Sequence, residues 1–193
     1  LEHDACQNYI DGWKYKGKFS RHYRRLPWAK ILVSGKSVTE KLIKEGFDAH
    51  FVPKAYDSKV LKNLQLERDI ECGFIGSLES RVYSNRKKLL EDISASAGLQ
   101  LLKTAAGEEY LAMMNRIRFF VSADVGLGEY MVKNFEAMAC GCVLFTWSQG
   151  KTENEALGFK DMQNVVLYTS IEELNEKLSL LRQDQALVDD DES

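Results

Sequence analysis

Three ionisable residues stand close together in EYMVKNFEAMACGCVLF (129–145): Glu129, Lys133 and Glu136. At about 100° per residue of helix they fall within roughly 60° of one another. One chemistry open to them is an ordinary solvated face, since Glu at i and Lys at i+4 is the favourable ion-pair order, contributing about 0.2–0.5 kcal/mol. The other is a site: a carboxylate accepts hydrogen bonds from ligand hydroxyls, and a lysine offsets phosphate charge. Gly126 and Gly128 precede this helix. A glycine-flanked start frees helix N–H groups for an anion, which a plain surface helix does not need. The spacing predicts a helix from Tyr130 or Met131, with Met131, Val132, Phe135, Met138 and Ala139 as its apolar stripe. A second junction, GSLESRVYSNR (76–86), offers Gly76 for close backbone approach and Arg81 and Arg86 as cations. It is neither GxGxxG nor a P-loop, which argues against a dinucleotide or Walker-type triphosphate site.

The elements that must position these residues alternate. AKILVS (29–34) reads as a buried strand, Ser37 to Glu40 as a capping box opening a helix that Gly46 ends, and AHFVP (49–53) as a second strand. A polar stretch from Lys54 to Asp69 follows as a candidate linker. The second series has strands at 70–76, 99–103, 117–124, 142–147 and 164–170, and helices at 84–98 and 107–115 as well as the one at Glu136. A last helix opens on a Ser170/Glu173 capping box, with Ile171, Leu174, Leu178 and Leu181 inward. Several strands are apolar on both faces, the pattern of a parallel sheet covered by helices on each side. The expected fold class is therefore α/β, a Rossmann-like open parallel sheet flanked by helices.

An apolar content of 45% over 193 residues supports a sizeable core. No apolar run reaches the roughly 18 residues of a spanning helix, and the start carries no signal-peptide pattern. The chain opens on Leu1, so it reads as a piece of a longer protein. Cys6, Cys72, Cys140 and Cys142 form no CxxC pair and have no clustered histidines; they read as reduced, buried thiols in a cytoplasmic protein, with no metal site. The net charge of −3 hides an asymmetry: from Gly12 to Thr39 there are eight basic residues and no acid. Trp13, Tyr15, Phe19, Tyr23 and Trp28 are interleaved with them. Such a segment either packs on a neighbour with its charges in water or meets an anionic membrane surface. A nucleic-acid partner is not expected.

FEAMACGCVLFT (135–146) is similar to the EAMACG segment in the donor domain of GT-B glycosyltransferases, especially the group 1 enzymes and their spore-maturation-like relatives. FIGSLESRVYSNRKKLL (74–90) resembles the first strand, loop and helix of that domain. EEYLAMMNRIRFFVSAD (108–124) resembles the helix and strand leading to its site. VPKAYD (52–57) looks like the crossover from the N-terminal lobe. The resemblance spans roughly residues 28–182. It implies a remnant of the N-terminal (acceptor) lobe over 1–57, a nucleotide-sugar donor-binding domain over 58–185 and an acidic tail over 186–193. It further implies transfer of a sugar from a nucleoside diphosphate donor to a glycan, lipid or protein acceptor, with retention of configuration and no cofactor beyond the donor. Glu136 would accept the ribose hydroxyls, and backbone N–H groups around Tyr130, Met131 and Val132, after Gly128, would hold the diphosphate and sugar. Arg81 or Arg86 would neutralise the diphosphate beside Gly76. The family's first glutamate falls at Gly128, so Glu129 stands one residue late; Glu129 and Lys133 are the catalytic candidates. Two alternatives stay open: a non-catalytic GT-B-like binding or assembly module, and a basic-aromatic N-terminal segment that binds nucleic acid or anionic membrane. A chain lacking most of the N-terminal lobe is expected to bind donor more readily than to transfer it.

Overall fold

The structure is a computed structural model that describes residues 5–78 and 84–183. Two units emerge. The first comprises Leu1–Lys54, Asp124–Met131 and Gln149–Gly158; the second comprises Ala55–Ala123, Val132–Ser148 and Phe159–Ser193. Two segments of the first unit thus come from the sequence range expected for the donor-binding domain.

In the first unit a 3-10 turn (Ala5–Asn8) and the short helix α1 (Lys18–Tyr23) precede a strand–helix–strand motif. Strands β1 (Ile31–Val33) and β2 (Ala49–Phe51) pair in parallel, joined by helix α2 (Lys36–Lys44). Val38 and Leu42 of α2 are buried, as the 3.6-residue spacing requires. The helix starts earlier than the capping box predicts. Its N-cap is Gly35, without a side-chain cap, and Thr39 Oγ1 turns back to donate to Gly35 O at 2.8 Å. A carboxylate from elsewhere in the unit takes the place of the local cap, as described below. That carboxylate lies on α6 (Lys151–Leu157), a helix that sequence patterning does not reveal because KTENEAL has no apolar stripe.

The second unit is built on five parallel strands in the order β4-β3-β5-β6-β7. They are β3 (Ile70–Ile75), β4 (Gln100–Leu102), β5 (Ile117–Ser122), β6 (Val143–Trp147) and β7 (Val166–Tyr168). The middle strands β3, β5 and β6 are buried at nearly every position, so both faces are covered and the apolar runs are explained. Phe119 and Phe145 meet edge to face at 5.6 Å within this core. Helices α3 (Ser84–Ala97), α4 (Glu108–Arg116), α5 (Val132–Ala139) and α7 (Ile171–Gln183) complete the layers. At the start of α7, Glu173 N–H donates to Ser170 Oγ at 3.1 Å, while the Glu173 carboxylate accepts from Thr169 N–H at 2.7 Å. Leu174, Leu178 and Leu181 are buried as expected.

The end of α5 explains the Ala-Cys-Gly signature. Cys142 N–H donates to Ala137 O and Gly141 N–H to Met138 O, the two bonds of a Schellman stop. Arg68 then takes the remaining carbonyl of Cys140 at 2.8 Å. Without these partners the last carbonyls of a helix end would be left orphaned.

Candidate functional site

The ionisable residues fall into two groups, one in each unit. In the first unit Glu129 is fully buried, at 0% exposure. Its Oε2 accepts from Lys54 Nζ at 3.1 Å and Ser34 Oγ at 2.9 Å, and its Oε1 from Cys6 N–H at 3.4 Å. Lys54 also donates to Tyr130 O at 3.0 Å. A methyl group on Gly35 would lie 2.8 Å from Glu129 Cβ, so only glycine allows this approach. A second buried carboxylate, Glu153 of α6, accepts the N–H groups of Lys36 at 3.1 Å and Ser37 at 3.0 Å. It caps α2 from outside, where the helix dipole favours negative charge. Burial pushes the Glu153 carboxyl above the usual carboxylate range. The two amides pull it back, and the charge of Glu129 adds to the rise.

The residues leading into α5 differ from expectation. The helix begins at Val132, so Glu129 lies outside it and shares no helix face with Lys133 and Glu136. The cause is the turn before it: Gly126 and Gly128 have φ of 75° and 71°, which hold the chain out of helical geometry. Asp124 Oδ2 closes the turn by accepting from Met131 N–H at 3.1 Å, and Gln149 Oε1 accepts from Gly128 N–H at 3.0 Å. Tyr130 is buried, with its hydroxyl hydrogen-bonded to Asn154. The amide of Met131, expected to help hold the diphosphate and sugar, and that of Gly128 before it are thus already engaged within the first unit.

In the second unit Gly76, Lys133 and Glu136 come together. They line an open pocket of about 570 Å³, with Ser77, residues 103–107 and Tyr110. It lies beyond the carboxyl ends of β3 and β4, where ligands enter open parallel sheets. Tyr110 of α4 donates to Glu136 Oε2, and its ring lies under Lys133 Nζ, 4.8 Å from the centroid. One phenol therefore orients both the carboxylate and the ammonium. Burial holds the Lys133 ammonium below the usual lysine range; Glu136 opposes the shift and the charge of Arg86 adds to it. Burial and the bond to Glu136 push the Tyr110 phenol upward. A methyl on Gly76 would sit 2.9 Å from the Phe74 ring, so a larger residue there would force that ring to shift. Arg86 is buried on α3. Val132, the first residue of α5, is exposed. Arg81 lies outside the described residues.

Sequence reading singled out neither Tyr110, Lys103 nor Lys54. Tyr110 sits in a helix that was expected, but nothing in GEEYLAMMN says its hydroxyl reaches a residue 26 positions away. A further cavity of about 460 Å³ is lined by Arg68, Asp69, Glu71 and Arg182. There Arg182 is paired with Glu71 at 2.7 Å and Asp69 with Arg116 at 2.6 Å, so these charges hold structure together. All four cysteines are buried. Among the described residues no cluster of three metal-ligating side chains occurs, and no helix is long and apolar enough to cross a membrane.

Three solved structures of similar fold are GT-B glycosyltransferases. Sucrose-phosphate synthase from Thermosynechococcus elongatus superposes with a TM-score of 0.62 at 10% identity, over 97% of this chain and 58% of that one. TarM gives 0.66 at 10% identity, over 94% and 42%. The pneumococcal O-GlcNAc transferase GtfA, solved with UDP and GlcNAc, gives 0.59 at 15% identity, over 90% and 41%. The chain thus spans about two fifths to three fifths of the length of these structures. At such low identity the likeness establishes the fold, the α/β architecture of GT-B glycosyltransferases. No curated protein gives a significant sequence match. The family model described as glycosyl transferase-like matches residues 59–190, more than half of the sequence, and the chain belongs to that glycosyltransferase family.

Proposed function

We propose that the second unit binds the nucleoside diphosphate of a nucleotide-sugar donor, and that the protein transfers that sugar to an acceptor. One observation carries the reading: Glu136, Lys133 and Tyr110 converge on one open pocket at the carboxyl ends of parallel strands. Glu136, held by Tyr110, accepts the two ribose hydroxyls. Lys133 meets the diphosphate, with Arg86 and Lys103 adding positive charge and Gly76 allowing close approach. Arg81 is a further candidate cation. The chemistry asked of these groups is to stabilise charge growing on the departing diphosphate, which fixed cations do well in a partly dry site. The donor is the only small molecule the proposal needs, and the transfer is expected to retain configuration.

Glu129, with its carboxylate filled by Lys54, Ser34 and Cys6, acts here as a positioning residue for the turn that leads into α5. The same engagement favours a second reading, a donor-binding lobe that does not transfer. Thermal-shift measurements with UDP, GDP, TDP, ADP and CMP test binding. One nucleotide should raise the melting temperature, and Glu136→Ala should reduce the shift at the same nucleotide concentration. Product anomer analysis by NMR, with the sugar donor so identified, tests transfer and its stereochemistry. Stabilisation by no nucleotide would overturn the donor reading; binding without turnover would favour the second.

A further inference from the structure

The basic, acid-free segment 12–36 belongs to the first unit, and most of its rings are occupied. Trp13, Tyr15, Phe19 and Tyr23 form a ladder with centroid spacings of 6.2, 5.9 and 6.5 Å, and Tyr23 meets Phe47 edge-on at 5.8 Å. Lys14 lies over Trp13 and Tyr15, and Lys18 over Tyr15. Packing therefore accounts for these residues. Trp28 is different, with 78% of its surface exposed. It occupies the third position of a β-turn closed by Ala29 N–H donating to Leu26 O at 3.0 Å. Pro27 fixes the second position of that turn. A rigid turn thus holds an indole out into water, where it gains nothing from burial. Leu32, just beyond on β1, is 66% exposed.

Along the chain from Arg21 to Lys30, on either side of this turn, the charges share one sign. Arg21, Arg25 and Lys30 are exposed. Arg24 is already met by Glu45 at 2.9 Å, and Asp48 is held by His50 at 2.7 Å. We propose that this turn docks the protein on an anionic lipid bilayer, with Trp28 in the headgroup layer and Arg21, Arg25 and Lys30 against the lipid charges. An indole with an apolar body and a polar N–H suits that boundary, and positive charge suits its surface potential. Nucleic acid fits less well. Base stacking needs open ring faces, and the ring ladder of this segment is consumed by its own rings and lysines. The proposal is independent of the donor pocket.

The test uses the 193-residue chain with vesicles of phosphatidylcholine, with and without phosphatidylserine, at low and high salt. The chain should sediment only with the phosphatidylserine vesicles, and at low salt. Tryptophan emission should shift to the blue, and Trp28→Ala should remove that shift while Trp13 and Trp147 remain. Trp28→Ala should weaken vesicle affinity by roughly tenfold. Arg21→Gln, Arg25→Gln and Lys30→Gln should each weaken it about fivefold. All four positions are exposed or at a turn tip, so folding, checked by circular dichroism, should hold. Absence of binding to phosphatidylserine vesicles by the folded chain would overturn the proposal. So would binding that survives both Trp28→Ala and a variant carrying the three glutamine substitutions together, or charge-dependent binding to RNA without binding to vesicles.

Discussion

Glu129 and Glu136 lie seven positions apart in one stretch of sequence, and their surroundings are opposite. Glu129 is sealed in the first unit, with three protein donors on its two oxygens. Glu136 stands half-buried at an open pocket of the second unit, with a tyrosine hydroxyl holding one oxygen. A buried carboxylate whose hydrogen bonds are supplied by its own chain is architecture. One that is oriented but still faces a cavity is positioned to receive something. The difference lies in who supplies the donors, and it separates a residue that holds the fold from one that serves a ligand.

The sharpest way to break this comparison is Glu129→Ala. It leaves the Lys54 side chain, only 13% exposed, without its charge partner, which costs about 3–5 kcal/mol. Denaturant unfolding should show a loss of that order. A stable variant that has lost nucleotide affinity would instead make Glu129 a ligand-binding residue. Glu136→Ala comes next and should do the reverse. Charge-assisted hydrogen bonds contribute about 1.5–3 kcal/mol, so nucleoside diphosphate affinity should fall roughly tenfold to a hundredfold by calorimetry, with unfolding little changed. An unchanged dissociation constant would remove Glu136 from the site.

Lys133 sharpens the comparison through pH. Its ammonium titrates below the ordinary lysine value of 10.5 because burial disfavours the charge and Arg86 repels it. A lowered folded-state pKa contributes stability that is present above the ordinary value and lost as pH falls through the lowered one. At neutral pH the half-buried charge therefore lowers stability slightly, and Lys133→Met should not destabilise the protein. A bound diphosphate stabilises that charge and raises the lysine pKa again. Affinity should thus decline as pH rises through the lowered pKa, earlier than an ordinary lysine would dictate, and Lys133→Met should flatten that decline while costing about tenfold in affinity. A pH profile identical in the variant would show that the lysine does not meet the phosphates. Tyr110→Phe gives the smallest effect. Loss of one hydrogen bond, about 0.5–1.5 kcal/mol, should weaken nucleotide binding roughly twofold to tenfold, because the ring still supports Lys133. Tyr110→Ala should cost more, and equal effects of the two would mean that the hydroxyl orients nothing.

Much of the second unit was legible because its signals are local. Two-faced apolar runs give buried parallel strands, Ser170 and Glu173 mark a helix start, and Ala-Cys-Gly marks a helix end. The first unit was less legible. Ser37 looked like a cap, yet Glu153, more than a hundred positions away, supplies the acceptors. A helix amide is satisfied by whichever acceptor the fold delivers, and a distant carboxylate leaves no trace in local spacing.

The sequence by itself determined the alternation of strands and helices, the fold class and the place of Glu136 before its helix stop, because each depends on periodicity or on neighbours within a few residues. Only the tertiary structure decided that Glu129 is walled in, that Lys133 and Glu136 share a tyrosine, and that Trp28 stands in water while its aromatic neighbours stack. Those outcomes depend on which side chains meet across long separations. Burial, dielectric environment and hydrogen-bond supply are set there, and they decide what a glutamate or a lysine can do.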